Sequence, residues 1–320
     1  MNKKISVGYS GSEEDMDKLL ASSDCLYSIY TGGLAGKIAG GRPHYLKSLD
    51  TLAQKCEKAH KIGVKYEIAL NAPCGLELKS NKEWWDDIKR YLRELEDCGV
   101  DYIIASHPFI MQSVKENTDM KVVASTICEI MTPRAAEYYE SLGADVIIPS
   151  MNVNFDLETL EVMGNNLKNA TLRIMVNEHC LGDCPWRRFH HNHYSHHNEE
   201  FEYHVNCKTQ FLNNPYLLLT NNFIRPEDLK RYEKITCEFK IVGRLTPIDD
   251  LIEIVKAYTN ESYDGNSVKL FDLGLSKHFY ISNASLDQLF EKKAACDKLC
   301  HSCRYCMNLW ESNDTVIAAE

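Results

Sequence analysis

Asp101–Pro149 reads DYIIASHPFI MQSVKENTDM KVVASTICEI MTPRAAEYYE SLGADVIIP, and the pattern of the whole chain is visible in it. Three short apolar runs, Asp101–Ala105, Lys121–Ser125 and Asp145–Pro149, are each bounded by polar or turn-forming residues, as strands buried on both faces are. Between the second and third lies an amphipathic segment opened by Thr132-Pro133, a helix start, and closed by Gly143, a helix stop. Working outward, the same pattern predicts strands at Lys4–Tyr9, Cys25–Tyr30, Lys65–Leu70, Thr171–Asn177 and Glu238–Gly243. Further helix starts are Ser12 with Asp15 three residues on, Thr246-Pro247-Ile248-Asp249 with proline in the first helical position, and Arg225-Pro226-Glu227. Gly63 and Gly99 end helices as Gly143 does.

Strands followed by helices, eight times over about 255 residues, match a closed (β/α)8 barrel in number and size. No glycine-rich dinucleotide fingerprint follows the first strand, which speaks against an open doubly wound sheet. The expected organisation is an α/β, TIM-like barrel over 1–260, interrupted by a long cysteine- and histidine-rich loop at 178–222. A C-terminal extension over 261–320 follows, with a helix-like stretch at Ser285–Leu299 and a cysteine-dense tail.

Composition narrows the class of function. The 320 residues carry 36 basic and 46 acidic side chains, a net charge of −10, which speaks against a chain that wraps nucleic acid. Nothing approaches the roughly 20 apolar residues of a membrane span, and Met1-Asn2-Lys3-Lys4 opens no signal peptide. A soluble, cytoplasmic protein without a membrane partner is expected. Thirteen cysteines are then the anomaly, because thiols in a reducing compartment serve metals or redox chemistry more than disulfides. Cys25, Cys56, Cys74, Cys98, Cys128 and Cys237 are scattered singly and read as small core residues.

A barrel places its active site at the carboxyl ends of the strands. There the sequence offers the loop Tyr30-Thr-Gly32-Gly33-Leu-Ala-Gly-Lys-Ile-Ala-Gly-Gly-Arg42, then Asn71, then His107, and later Asn177-Glu178-His179-Cys180 and Gly243-Arg244. Gly32 and Gly33 would let backbone approach an anionic ligand, and Arg42 or Arg244 would grip a carboxylate. Asn71 and His107 would orient a substrate, and Glu178 or His190 would move protons.

The connection after the seventh strand far exceeds the roughly 2–6 residues usual for such a loop. It contains Cys180-x3-Cys184-x22-Cys207 and, with His179, seven of the twelve histidines: His179, His190, His191, His193, His196, His197 and His204. Thiolates in a tight loop suit an iron–sulfur cluster or zinc. Cys237 precedes the eighth strand and belongs at the opposite rim, about 20 Å away along a six-residue strand, too far to join them. The tail reads Cys296-x3-Cys300-x2-Cys303-x2-Cys306, a metal signature that reverses the ferredoxin order of spacings. Either the tail forms its own site, with zinc as one occupant, or it folds back and lends a thiolate to the loop. One 4Fe–4S cluster, or two, would follow.

Cys180-Leu-Gly-Asp-Cys-Pro-Trp-Arg-Arg-Phe-His190, the later Cys207, Ile224-Arg-Pro-Glu-Asp-Leu229 and Phe239-Lys-Ile-Val-Gly-Arg244 together resemble the U-32, or collagenase-like, peptidase family. The Tyr30-Thr-Gly-Gly loop and Ala124-Ser-Thr with Leu142–Pro149 are similar more loosely, and the resemblance spans roughly residues 4–260. It implies a βα barrel and a cysteine-held 4Fe–4S cluster. It also implies oxygen-independent hydroxylation of RNA bases or of a ubiquinone precursor, with prephenate as an oxygen source in some members. Hydroxylating members with a fourth cysteine before the eighth strand differ from this chain, whose Leu217–Asn222 has none, and the tail lies outside the common core.

The leading expectation is an iron–sulfur enzyme performing a redox or hydroxylation step on a small biosynthetic substrate. A peptidase is the alternative, although neither H-E-x-x-H nor G-x-S-x-G occurs. A third possibility is a non-catalytic, metal-stabilised partner of a second, family-related subunit.

Overall fold

Eight parallel strands close into a barrel in simple sequence order, with the last strand paired to the first. The structure, a computed structural model, describes residues 2–34, 46, 48–74, 82–195, 207–271 and 274–312. The order runs β1 Lys4–Gly8, α1 Glu13–Leu20, β2 Leu26–Gly32, α2 Leu52–His60, β3 Lys65–Leu70, α3 Lys82–Asp97, β4 Tyr102–Ala105, α4 Pro108–Asn117 and β5 Lys121–Ala124. It continues with α5 Pro133–Ser141, β6 Val146–Ile147, α6 Leu157–Asn166, β7 Thr171–Met175, α7 Arg187–Ser195, α8 Cys207–Asn213, β8 Glu238–Ile241 and α9 Ile248–Asn260. All eight expected strands are present, so the fold is the (β/α)8 barrel that their number and spacing predict. They differ mainly in length: β6 keeps two paired residues before Ser150 bonds back to Ile130, and β2 runs on through Thr31 and Gly32 along β3.

The local chemistry at the helix ends is mostly the expected kind. Ser12 Oγ accepts from the Asp15 amide at 3.1 Å, and Thr132 Oγ1 accepts from the Ala135 amide at 3.2 Å. Each such cap is worth about 1 kcal/mol. Gly99 and Gly143, at φ +89° and +101°, turn the chain from a helix into the next strand, a conformation that costs other residues strain. One start departs from expectation. Pro247 is the cap of α9 and not its first helical residue, because its ψ of 142° is still extended. Arg225-Pro226 opens a 3-10 turn, Pro226–Tyr232, and not an α-helix.

Two layers hold the barrel. Outside the strands, Ile5, Val7, Ile68, Ile103, Val122, Ile174 and Phe239 pack against the helices. Inside the bore, Tyr30, Ala69, Tyr102, Ile104, Val123, Ile148 and Met175 form a smaller apolar group. The bore also contains charge. Arg173 Nη1 meets Glu67 at 2.7 and 3.0 Å, its Nε reaches Glu238 at 3.4 Å, and Ser28 Oγ donates to Glu67 at 2.6 Å.

After α9 the chain packs back on the barrel. Val268, Leu270, Phe279, Ile281, Leu289 and Phe290 belong to the same buried cluster as the strands. Arg225 ties this segment down through the Asn283 carbonyl at 2.9 Å and Asp287 at 2.8 Å. Three short helices follow, α10 Leu289–Ala294, α11 Cys300–Cys303 and α12 Tyr305–Ser312. The last lies against the 3-10 turn Pro215–Thr220, and Trp310 meets Phe279 edge-on at 5.6 Å.

Candidate functional site

The barrel top is organised where β7 and β8 end. Asn177 Nδ2 donates to the carbonyls of Val242 at 3.0 Å and Leu270 at 3.1 Å, while its Oδ1 accepts from the Val242 amide at 2.7 Å. This staple joins both strand ends to the segment after α9 and fixes the next residues. Glu178, His179 and Cys180 then bring one ligand atom each within 4.8 Å of one another, the one such trio among the described residues. The Cys180 thiol lies 3.3 Å from Glu178 Oε1.

Arg187, in the first turn of α7, is buried beside this trio, with Nη1 3.5 Å from Glu178 Oε2. Neither of its Nη atoms has a hydrogen-bond partner among the described residues. A buried guanidinium facing Cys180 with unused donors is suited to an anionic, thiolate-held group. In donor type, the Cys180 thiol beside a buried guanidinium fits a thiolate-held iron–sulfur centre. The loop of Cys180–Cys184 lies close against Pro215–Thr220: a Cβ at Gly182 would stand 2.5 Å from the Thr220 carbonyl oxygen.

Lys240 lies beneath, inside the bore. Its Nζ stands 3.9 Å from the centre of the Tyr30 ring. Burial pushes its pKa down to about 7; Glu67 and Glu178 oppose the shift, and Arg173 and Arg244 reinforce it. Beside it opens a cleft of about 430 Å³ lined by Asn177, His179, Gly243, Arg244, Thr246 and Phe271. A second cleft, of about 330 Å³, is lined by Ser106, Cys128, Glu129, Arg188 and His191.

The expected site residues are distributed unevenly over this top. Glu178, Cys180 and Arg244 converge on the β7–β8 end. Asn71 donates to Ser125 Oγ at 3.0 Å, next to the second cleft. His107 caps α4, its Nδ1 accepting from the Phe109 amide at 3.2 Å, and burial holds its pKa below the usual imidazole value. His190 stacks on His191 and lies against Tyr194, with ring centres 6.3 and 4.6 Å apart. Gly32 ends β2; a Cβ at Gly33 would press on the ends of the Leu70 and Tyr91 side chains, so packing favours a glycine there. Arg42, His196, His197 and His204 lie outside the described residues. Cys207 begins α8, and Cys237 lies at the amino-terminal rim, where its carbonyl receives the Lys4 amide. Lys240, Arg187, Arg173 and Glu67 are not among the site residues expected from the sequence. The signal for three of them was available: a charge in the middle of an apolar strand, as in Lys65-Tyr-Glu67-Ile and Leu172-Arg173-Ile.

The fold and this site define a (β/α)8-barrel protein with a thiol, imidazole and carboxylate cluster at the carboxyl ends of its last two strands. The chain belongs to peptidase family U32, whose profile matches residues 28–269. It is 30% identical over 293 residues to the uncharacterized protease MJ1657 of Methanocaldococcus jannaschii, covering 89% of this chain and 88% of that one. The solved U32 peptidase Mk0906 shares the fold, with a TM-score of 0.59 at 19% identity over 77% of this chain and 94% of that one. No described helix is long and apolar enough to cross a membrane.

Proposed function

We propose that this U32 protein is an iron–sulfur enzyme that acts on a small organic anion at the barrel top, in a redox or oxygen-independent hydroxylation step. The observation that carries the proposal is the convergence of Glu178, His179 and Cys180 with the buried cations Arg187, Arg244 and Lys240. Cys180, Cys184 and Cys207 would hold a 4Fe–4S cluster, which when bound supplies the electron-transfer or Lewis-acid chemistry. Arg187 balances the charge of the thiolates and positions Glu178. Arg244 binds the substrate carboxylate at the cleft wall. Lys240, poised between its two protonation states near neutral pH, holds or releases a proton at Nζ. The Tyr30 ring and the apolar bore exclude water around it, which strengthens each of these interactions.

The test is anaerobic purification with iron and sulfide analysis of the wild type and of Cys180→Ala and Cys184→Ala, alongside binding of small mono- and dicarboxylates. Loss of a cluster in both cysteine variants, and loss of carboxylate binding in Arg244→Gln with iron retained, are expected. Iron content unchanged by both cysteine substitutions would overturn the loop-held cluster. The names of the family and of the archaeal relative support a peptidase reading in its place. Cleavage of gelatin by the purified protein, abolished by Arg187→Met or Glu178→Gln, would establish it.

A further inference from the structure

The tail cysteines stand apart from the barrel-top trio and have surroundings of their own. Cys306, partly buried at the start of α12, lies within electrostatic reach of Lys293 and of Cys296, Cys300 and Cys303. The other three are exposed. The backbone between them turns sharply: Lys298 and Arg304 both take left-handed conformations, at φ +63° and +48°, and bracket the single turn of α11. Two ties fix this unit on the barrel. Lys298 Nζ pairs with Asp183 Oδ2 at 2.8 Å, and α12 packs on Pro215–Thr220.

Lys293 supplies the independent observation. Its Nζ is buried, has no hydrogen-bond partner among the described residues, and lies within electrostatic reach of Cys306 and Cys296. Its one described contact of another kind is the face of the Phe155 ring, 4.9 Å away. A buried ammonium group without an acceptor is costly unless an anion completes its surroundings. Four thiolates carrying a metal centre would be that anion.

The sequence spacing bears on which centre it is: Cys296-x3-Cys300-x2-Cys303-x2-Cys306 is the ferredoxin run of x2, x2, x3 in reverse, which favours an iron–sulfur cluster.

We propose that Cys296, Cys300, Cys303 and Cys306 hold a four-thiolate iron–sulfur cluster separate from the barrel-top site, with Lys293 as its buried counter-charge. Binding requires the thiols to release their protons as the metal–sulfur bonds form. The cluster then fastens α10, α11 and α12 over the loop that carries Cys180 and Cys184. The proposal stands independently of the barrel-top chemistry, since none of its residues belongs to that site.

The experiment uses the full chain purified without oxygen, with iron, sulfide and zinc analysis, paramagnetic resonance of the dithionite-reduced protein, and alkylation of thiols mapped by mass spectrometry. Cys300→Ser should lose one cluster and leave Cys296 and Cys303 open to alkylation, while Cys184→Ala retains that cluster and its protection. Circular dichroism should show Cys300→Ser still folded, because its side chain is exposed. Lys293→Met should retain the iron and shift the midpoint potential of the tail cluster to more negative values, with Lys293→Arg returning toward wild type. Zinc in place of iron in the tail, iron lost together in Cys184→Ala and Cys300→Ser, or no change in potential on removing Lys293 would each overturn the proposal. Failure of the barrel-top cluster alone would show as iron insensitive to Cys184→Ala with the tail signal intact.

Discussion

Replacing Arg173 with methionine tests how the bore is held together. Arg173 and Glu67 have side chains with 0% exposure, and Nη1 reaches both oxygens of the carboxylate at 2.7 and 3.0 Å. Arg173 also reaches Glu238 at 3.4 Å and Ser6 Oγ at 3.3 Å. Methionine fills similar volume but leaves Glu67 with only hydroxyl donors, Ser28 at 2.6 Å and Ser6 at 3.5 Å. Removing one partner of a buried pair costs about 3–5 kcal/mol, because the remaining charge is uncompensated. With an unfolding entropy of about 2.1 cal/mol/K per residue, that loss lowers Tm by about 5–7 °C for a chain of this length. Calorimetry or denaturant melts read this directly. The double variant Glu67→Gln with Arg173→Met should recover most of the loss. A single variant with an unchanged Tm, or a double variant as unstable as the single one, would refute the idea that the pair is electrostatically matched.

Three further outcomes follow from the same geometry. Because burial lowers the pKa of Lys240 to about 7, its contribution to stability should rise with pH from about 7 to about 10.4, where the unfolded lysine binds more protons than the folded one. Lys240→Met should flatten that slope in pH-dependent melts; an unchanged slope would mean that the amine is solvated. Gly182→Ala places a Cβ 2.5 Å from the Thr220 carbonyl oxygen, a backbone atom that cannot yield cheaply, so the loop should lift from the turn. Iron content should fall while Tm changes by less than about 2 °C, an exposed-loop effect. Asn177→Ala removes three buried or partly buried hydrogen bonds at the ends of β7 and β8 and should cost about 2–4 kcal/mol. Faster hydrogen exchange at the Val242 amide checks it, and unaltered protection there would show the staple to be dispensable.

The repeat of strand and helix could be read from the chain because each strand of the barrel is short, apolar and buried on both faces, and each helix announces its ends locally. Ser12, Thr132, Gly99 and Gly143 act through hydrogen bonds and dihedral angles that involve only their near neighbours. Pro247 shows the limit of such signals: whether a proline caps a helix or opens it depends on a single ψ angle, which the turn from Gly243 to Thr246 sets. The cysteine groups were likewise visible as spacing. Their partners were not, since Asp183 and Lys298 are 115 residues apart and Lys293 gains its meaning only when its Nζ is buried against Cys306.

Sequence by itself therefore determined the barrel, its strand order and the two cysteine groups, because all of these depend on periodicity and local chemistry. Tertiary structure alone decided which charges meet. The closed barrel turns Glu67, Arg173 and Lys240 from three different strands into one bore, although 106 positions separate the first two. It also brings Arg187 to Glu178 and lays the tail along the loop after β7. The physical reason is that electrostatic partners are selected by distance in space and by exclusion of water, and neither quantity is written along the chain.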